Sequence, residues 1–122
     1  MAMYSKDEVE KLDENLDRIV EYLTEMGKSV RESIDIQFGD YKYESYEYTM
    51  EFGPYGSCVR CGRIAIALNE GDVVCSCYIK DRSDRGDIIA KMCRDWDKIK
   101  QQVIKHVDAQ KKLTNAINHF EL

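Results

Sequence analysis

The amino-acid sequence predicts one α+β domain, residues 1–122, in which a four-stranded antiparallel meander lies between an N-terminal helix and a long C-terminal helix, in the order α-β-β-β-β-α. Three observations predict this fold. Apolar residues recur at steps of three and four at both ends of the chain, they alternate with polar residues in the middle, and turn-forming residues punctuate that middle part. A chain of 122 residues with 43% hydrophobic content suits one modest core.

The first helix is predicted to begin at Ser5. A serine followed by Asp7 and Glu8 is typical of a helix N-cap with an acidic first turn, which the helix dipole favours. The apolar seam that follows, at steps of three and four, consists of Val9, Leu12, Leu16, Ile19, Leu23, Met26 and Val30.

The middle of the chain has a period of two and predicts four strands. Residues 34–38 and 46–52 alternate apolar and polar side chains and are separated by the turn signal Gly39-Asp40. A break at residues 53–56 leads to a second predicted hairpin, residues 60–69 and 72–80. With its turn at residues 70–71, that hairpin pairs Ile66 with Cys75 and Ile64 with Cys77 on an apolar face.

The last third of the chain, residues 84–120, predicts one long helix of about 55 Å at 1.5 Å per residue. A strand of the predicted sheet spans only about 27 Å, so the helical seam is longer than the sheet that would cover it. We therefore expect a homodimer or a higher homo-oligomer built through the helices. The residues expected at that interface are Trp96, Ile99, Val103, His106, Leu113, Ile117 and Phe120.

Charge and composition exclude several classes of protein. The formal net charge of −5 disfavours general binding to nucleic acids or to membrane surfaces, because both are polyanionic. No apolar run approaches the roughly 18 residues of a transmembrane helix, and residues 1–7 lack the basic and hydrophobic parts of an export signal. We expect a cytoplasmic protein. Its five cysteines, an odd number, do not suggest a disulfide framework.

The cysteine spacing raises the possibility of a metal site. Cys58-Val59-Arg60-Cys61-Gly62 resembles a zinc-ribbon knuckle, in which two thiolates converge on one tetrahedral ion. The second half, Cys75-Ser76-Cys77, departs from that pattern, and a regular strand turns Cys61 to the face opposite Cys75 and Cys77. The favoured interpretation is that the thiols act as small hydrophobic side chains with no metal or other cofactor, and the alternative is a zinc-stabilised adaptor.

A second candidate is an anion site where the long helix begins. The predicted topology places several cationic side chains near that helix N-terminus, whose free N–H groups favour anions, and Tyr78 is suited to stack on a base. The alternative is that the cations pair with nearby Asp81, Asp84 and Asp87. The candidate ligand-binding residues are Arg60, Arg63, Tyr78, Lys80, Arg82 and Arg85.

The stretch of tyrosines and acids from Tyr41 to Glu51 is a candidate protein-contact surface. An exposed tyrosine contributes a large ring at small entropic cost and keeps a polar tip. The alternative is a purely structural role, in which these tyrosines only favour strand formation. The candidate partner-binding residues are Tyr41, Tyr43, Glu44, Glu47 and Glu51.

No catalytic motif is present in the sequence, which lacks a Gly-rich phosphate loop and a nucleophile paired with a histidine at recognisable spacing. The leading hypothesis is therefore a non-enzymatic binding protein that occupies a partner's surface as an inhibitor or adaptor, a composition seen among phage proteins that counter bacterial defence. The alternative from another class is a protein that sequesters or senses a small anionic ligand such as a nucleotide at the arginine cluster.

Overall fold

The structure is a computed structural model that describes residues 4–69 and 77–122. The fold is α+β, with three helices and a mixed five-stranded sheet in the order β1-β2-β3-β4-β5. The helices pack on the sheet face that carries Ile36, Met50 and Val59, and these side chains form one hydrophobic core with the helical seams. In the described residues, no helix combines the length and the apolar composition needed to cross a membrane.

The first helix, α1 (Lys6–Gly27), begins where the sequence predicts. Ser5 and Glu8 form a capping box: the Ser5 hydroxyl accepts the Glu8 N–H at 3.2 Å, and the Glu8 carboxylate accepts the Ser5 N–H at 3.1 Å. Leu16, Ile19 and Leu23 of the predicted seam are buried. The seam therefore attaches α1 to the sheet.

The first hairpin consists of β1 (Ile34–Lys42) and β2 (Ser45–Gly53), which are antiparallel. The turn predicted at Gly39-Asp40 is wrong, because β1 continues through these residues to Lys42. The register shifts between Phe38 and Tyr41, so Gly39 and Asp40 form a β-bulge, and Gly39 has φ 91°. The chain turns instead at residues 43–44.

The prediction of the second hairpin is also wrong. Strand β3 (Gly56–Cys61) pairs antiparallel with β4 (Ile64–Ala67) around a turn at residues 62–63. Strand β5 (Cys77–Tyr78) then pairs parallel with β4, so that Cys77 lies beside Ile66 and not beside Ile64. The sheet thus has five strands and is mixed, where four antiparallel strands were predicted. The predicted Ile66–Cys75 pair and the turn at residues 70–71 lie outside the described residues.

The prediction of a single long C-terminal helix is wrong as well. A 3₁₀ turn (Ile79–Asp81) leads to α2 (Arg85–Arg94), and α3 (Trp96–Asn118) follows after a break at Asp95. The apolar repeat at steps of three and four continues through Asp95 without interruption, so the repeat does not indicate the break. The Asp95 carboxylate accepts the Gly39 N–H at 2.9 Å, and this bond ties the helix junction to the bulge of β1.

Candidate functional site

The most exposed aromatic group on the sheet lies at the tip of the first hairpin, where Lys42 pairs with Ser45 across a two-residue turn. Tyr43 is 98% exposed at the end of that turn, and Tyr41 on the adjoining strand is 62% exposed. Glu44 is exposed beside Tyr43. We call Tyr41, Tyr43 and Glu44 the hairpin tip. These three predicted partner-binding residues are adjacent in the structure.

The backbone of the hairpin tip is strained. Tyr43 and Glu44 have φ values of 53° and 65°, the left-handed conformation at both central positions of a two-residue hairpin turn. Such turns strongly favour Asn-Gly or Asp-Gly, because a side chain with a Cβ is disfavoured at positive φ. A non-glycine residue held there carries on the order of 1 kcal/mol or more of conformational strain. The backbone geometry of the turn therefore does not explain why tyrosine and glutamate occupy these two positions.

The base of the hairpin is held by aromatic and cationic contacts. The ring of Tyr46 lies edge-on to that of Tyr41, with 5.0 Å between centroids. On α3, the Lys98 ammonium lies 4.9 Å from the centroid of the Tyr46 ring, within the range of a cation–π interaction. Below it, the Tyr48 ring stacks on Phe38 in the core at 5.2 Å.

An ion network joins the same base to α2. Lys91 donates to Glu47 at 2.7 Å and lies 3.2 Å from Asp87 and 3.7 Å from Asp40. These neighbours, Glu47 first, raise the pKa of the Lys91 ammonium above its usual range. The Tyr48 hydroxyl donates to Asp87 at 3.2 Å. Because Lys91 is only 18% exposed, the network fixes the hairpin more firmly than a surface ion pair would.

Arg94 completes the contacts between the helix junction and the bulge. Its guanidinium binds Asp40 and Asp95, each at 2.9 Å. The hydrogen bond from Arg94 is the main cause that lowers the pKa of both carboxyls. The two aspartates are consequently held as anions, and the hairpin tip extends from a rigid support.

The two remaining predicted partner-binding residues lie away from the tip, and their carboxylates are already paired with cations of the same chain. Glu47 accepts hydrogen bonds from Lys91, and Glu51 forms an ion pair with Arg60. Arg60 also lies 3.9 Å from Asp35. The structure therefore leaves Tyr41, Tyr43 and Glu44 as the candidate contact surface.

The predicted anion-binding residues are not brought together. Arg60 and Arg63 lie where β3 turns into β4, whereas Lys80, Arg82 and Arg85 follow β5 beyond the other end of β4. A parallel β5 separates the two groups, because its direction carries the chain away from the β3–β4 turn.

Most of these cations already hold carboxylates. Arg82 binds Asp84 with two hydrogen bonds of 2.6 and 2.7 Å, and that pairing is the main cause of its raised pKa. Arg85 lies 3.3 Å from Asp13. These pairings agree with the alternative that the cations bind nearby carboxylates and not a ligand. Asp13, however, lies on α1 and is distant from Arg85 in sequence.

The surface cavities near these cations are acidic. One of about 470 Å³ at the start of α2 contains Arg85 together with Asp13, Asp84 and Asp87. Another of about 300 Å³ contains the remaining ligand-binding candidates, Tyr78 and Lys80, between Asp17 and Asp81. Carboxylates outnumber cations in both cavities, by three to one in the first and by two to one in the second, so neither wall is suited to a phosphate.

The cysteines of the candidate zinc site are distributed differently from the sequence-based expectation. Cys61 packs against the core, and so does Cys77, which pairs beside core residue Ile66; the expectation that Cys61 faces away from Cys77 is wrong. Cys58 is buried on the opposite face of β3, opposite Ala67. Cys75 lies outside the described residues. Within residues 4–69 and 77–122, no group of three or more His, Cys, Asp or Glu side chains is arranged to hold a metal ion.

The predicted interface residues of the C-terminal helix divide into two groups. Ile99 and Val103 are fully buried in the protein's own core, His106 Nε2 donates to the Glu32 carbonyl at 2.7 Å, and Trp96 lies edge-on to Tyr22. The other three are exposed, two near the end of α3 and one beyond it: Leu113, Ile117 and Phe120.

The bulge and its ion network are not predicted by the sequence patterns. The residues that build it were visible as Gly39-Asp40 and as the charged run Arg94-Asp95, but the glycine was assigned to a turn and the aspartate to a helix interior. Aspartate is a poor residue inside a helix and a good one at its end. That preference at Asp95 was the one available signal for the break.

Comparison of this chain with protein-family models, with curated proteins and with solved structures gave no match.

Proposed function

We propose that this protein is a non-enzymatic binding protein, an inhibitor or adaptor, that occupies a partner's surface with its hairpin tip. The observation that carries the proposal is the strained turn, in which Tyr43 and Glu44 both have positive φ while Tyr43 is 98% exposed. Strain of this kind persists where the surrounding structure holds it, and it is concentrated at functional sites. The turn has Tyr-Glu, which exposes a tyrosine ring, where Asn-Gly or Asp-Gly would give a more stable turn.

The second turn of the sheet provides a contrast. Tyr55, at the opposite end of β2, is 82% exposed, but the positive φ of that turn belongs to Gly56. Glycine adopts this conformation freely, so Tyr55 is displayed without strain. The two tyrosines thus differ in backbone strain and resemble each other in exposure.

Rigidity of the support favours tight binding. A loop that is ordered before it binds loses little conformational entropy on association. The contacts of Lys91, Arg94 and Lys98 hold the base of the hairpin on α2 and α3. The expected partner has an apolar pocket that accepts the Tyr43 ring and a basic rim opposite Glu44.

The proposal is tested by affinity capture from cells with the full chain as bait, followed by measurement of Kd with the purified partner. Replacing Tyr41 and Tyr43 together by Ala should weaken binding by about 30-fold or more, the effect of losing an interfacial hot spot. Tyr55→Ala is the matched control, since it removes an equally exposed tyrosine at the other end of the sheet, and should leave Kd unchanged. Equal affinity for the double variant, or an equal loss with Tyr55→Ala, would contradict the proposal.

A further inference from the structure

The end of α3 carries an apolar stripe that the protein does not cover. Leu113 and Ile117 are 60% and 63% exposed, and they continue the face of α3 on which Ile99 and Val103 are fully buried; Phe120, two residues beyond the end of the helix, is 71% exposed. The same side of one helix therefore passes from the core into solvent. We call residues 111–120 the tail.

The tail has little support of its own. In the described chain, the last side-chain hydrogen bonds from α3 to the rest of the fold are those of Gln110 and Thr114 with Arg31. Beyond them the helix consists of Asn115, Ala116, Ile117 and Asn118, of which only alanine is a strong helix former. Most helical stability in proteins comes from packing of an apolar face, so the helical tail fits best with a surface that covers it.

A groove with the matching character lies on the same molecule. It has a volume of about 340 Å³ between α1 and the junction of α2 with α3, and it is lined by Asn15, Arg18, Ile19, Tyr22, Cys93 and Trp96. The Tyr22 and Trp96 rings meet edge-on, with 5.2 Å between centroids, and form an aromatic wall. A row of aliphatic and aromatic side chains on a helix is the usual occupant of such a groove.

The helices that carry the two surfaces have opposite net charge. Helix α1 carries eight acidic and three basic residues, whereas α3 carries two acidic and five basic residues. Arg18 lines the groove itself, Glu21 and Asp97 are exposed next in sequence to its two aromatic residues, and Lys111 and Lys112 are exposed on the tail. Opposite charge of this kind orients an encounter and disfavours wrong pairings.

The two surfaces of one chain are too far apart to meet. Trp96 begins α3, and Ile117 lies about 32 Å further along it at 1.5 Å per residue of continuous helix. We propose that the tail of one copy binds the groove of a second copy. A reciprocal pair, in which each copy gives its tail and receives the other's, closes a symmetric dimer.

The first test measures assembly by sedimentation velocity of the full chain across a wide concentration range. The wild type should associate reversibly, and Ile117→Glu should raise the dimer Kd by roughly tenfold or more because it places a charge in an apolar contact. Asn115→Glu adds the same charge on the opposite face of α3 and should assemble like the wild type. A wild-type monomer at every concentration, or an Ile117→Glu variant that assembles normally, would overturn the proposal.

The second test uses Trp96, the only tryptophan of the chain, as a reporter in the groove. A full-length Ile117→Glu copy keeps its groove and its tryptophan, and a Trp96→Phe copy supplies a tail without a tryptophan signal. Mixing the two should change the Trp96 emission in a saturable way, and a donor with both substitutions should not. If the wild type dimerises and this mixture shows no change, the tail binds elsewhere, for example to another tail, and the groove assignment is overturned.

Discussion

At the scale of single residues, Gly39 permits the bulge on which the hairpin depends. Its φ of 91° is one that side chains rarely adopt, and its N–H is directed to the Asp95 carboxylate. A Cβ placed there would lie 2.9 Å from a ring carbon of Tyr48 and 3.1 Å from the Glu47 Cβ. Both the backbone and the space at this position therefore require glycine.

Gly39→Ala is expected to lower the free energy of unfolding by about 2–4 kcal/mol, since it adds overpacking to backbone strain. Gly62→Ala is the matched control, because Gly62 also has a positive φ of 61° but a Cβ there meets nothing within 4 Å. That control should lose only about 1 kcal/mol from strain. Urea unfolding of the two variants gives the comparison, and equal losses would show that packing around residue 39 is not the larger effect.

At the scale of elements, the helix junction acts through the charge of Asp95. The hydrogen bond from Arg94, and then the Gly39 N–H, lower the pKa of this carboxyl below its ordinary value of 3.8. A group with a lowered folded-state pKa stabilises the fold above the unfolded-state value, and this contribution is lost as the pH falls through the folded-state value. Acid should therefore weaken the attachment of the first hairpin to α2 and α3.

Asp95→Asn keeps an oxygen that accepts the Gly39 N–H but removes the titrating charge. The variant should be less stable than the wild type at neutral pH, and its free energy of unfolding should fall less steeply between about pH 5 and about pH 2. Asp97→Asn, at an exposed position on α3, should keep the wild-type slope. Denaturant unfolding over this pH range checks both, and a parallel acid limb for Asp95→Asn would contradict the assignment.

The elements also show how far sequence patterns reach. The N-cap at Ser5 with its acidic first turn and the alternation around Met50 predicted α1 and β2 well, because local hydrogen bonding and burial decide them. The turn of the first hairpin was misplaced because the bulge uses the residues typical of a turn, Gly39-Asp40, and the turn itself does not. The direction of β5 depends on pairing with β4 across the chain, which no local pattern encodes.

The candidate site was predictable in part for the same reason. Exposure of Tyr41 and Tyr43 follows from their position beyond the apolar alternation, and the structure confirms it. The positive φ of Tyr43 and Glu44 was not predictable, since neither residue favours it. Glu47 was assigned to the surface from alternation alone, but its partner Lys91 lies 44 residues away on α2.

At the scale of the whole molecule, α3 belongs to two regions. Its first half closes the core through Ile99 and Val103, and its last turns extend past the body of the protein. The apolar repeat is continuous between them, so the sequence alone predicts one interface where the structure has a core and an exposed stripe.

Ile99→Ala is expected to lower the free energy of unfolding by about 2–5 kcal/mol, since it leaves a cavity in a fully buried site. Ile117→Ala, the same substitution at a position that is 63% exposed, should change it by less than about 0.5 kcal/mol at dilute concentration. Denaturant unfolding at low protein concentration makes the comparison. A large loss for Ile117→Ala under these conditions would mean that the tail contributes to the stability of the monomer.

The form of the sheet margins affects aggregation. Strand β1 forms one margin, and its bulge interrupts the ladder while the Gly39 N–H is already bonded to Asp95. Strand β5 (Cys77–Tyr78) forms the other margin of the described sheet and leads directly into the 3₁₀ turn. A β-bulge on an edge strand hinders the addition of strands from other chains. The β1 edge of this sheet of aromatic and β-branched strands is in this way protected against growth into fibrils, and contacts between molecules on that side are directed to its turns and helices.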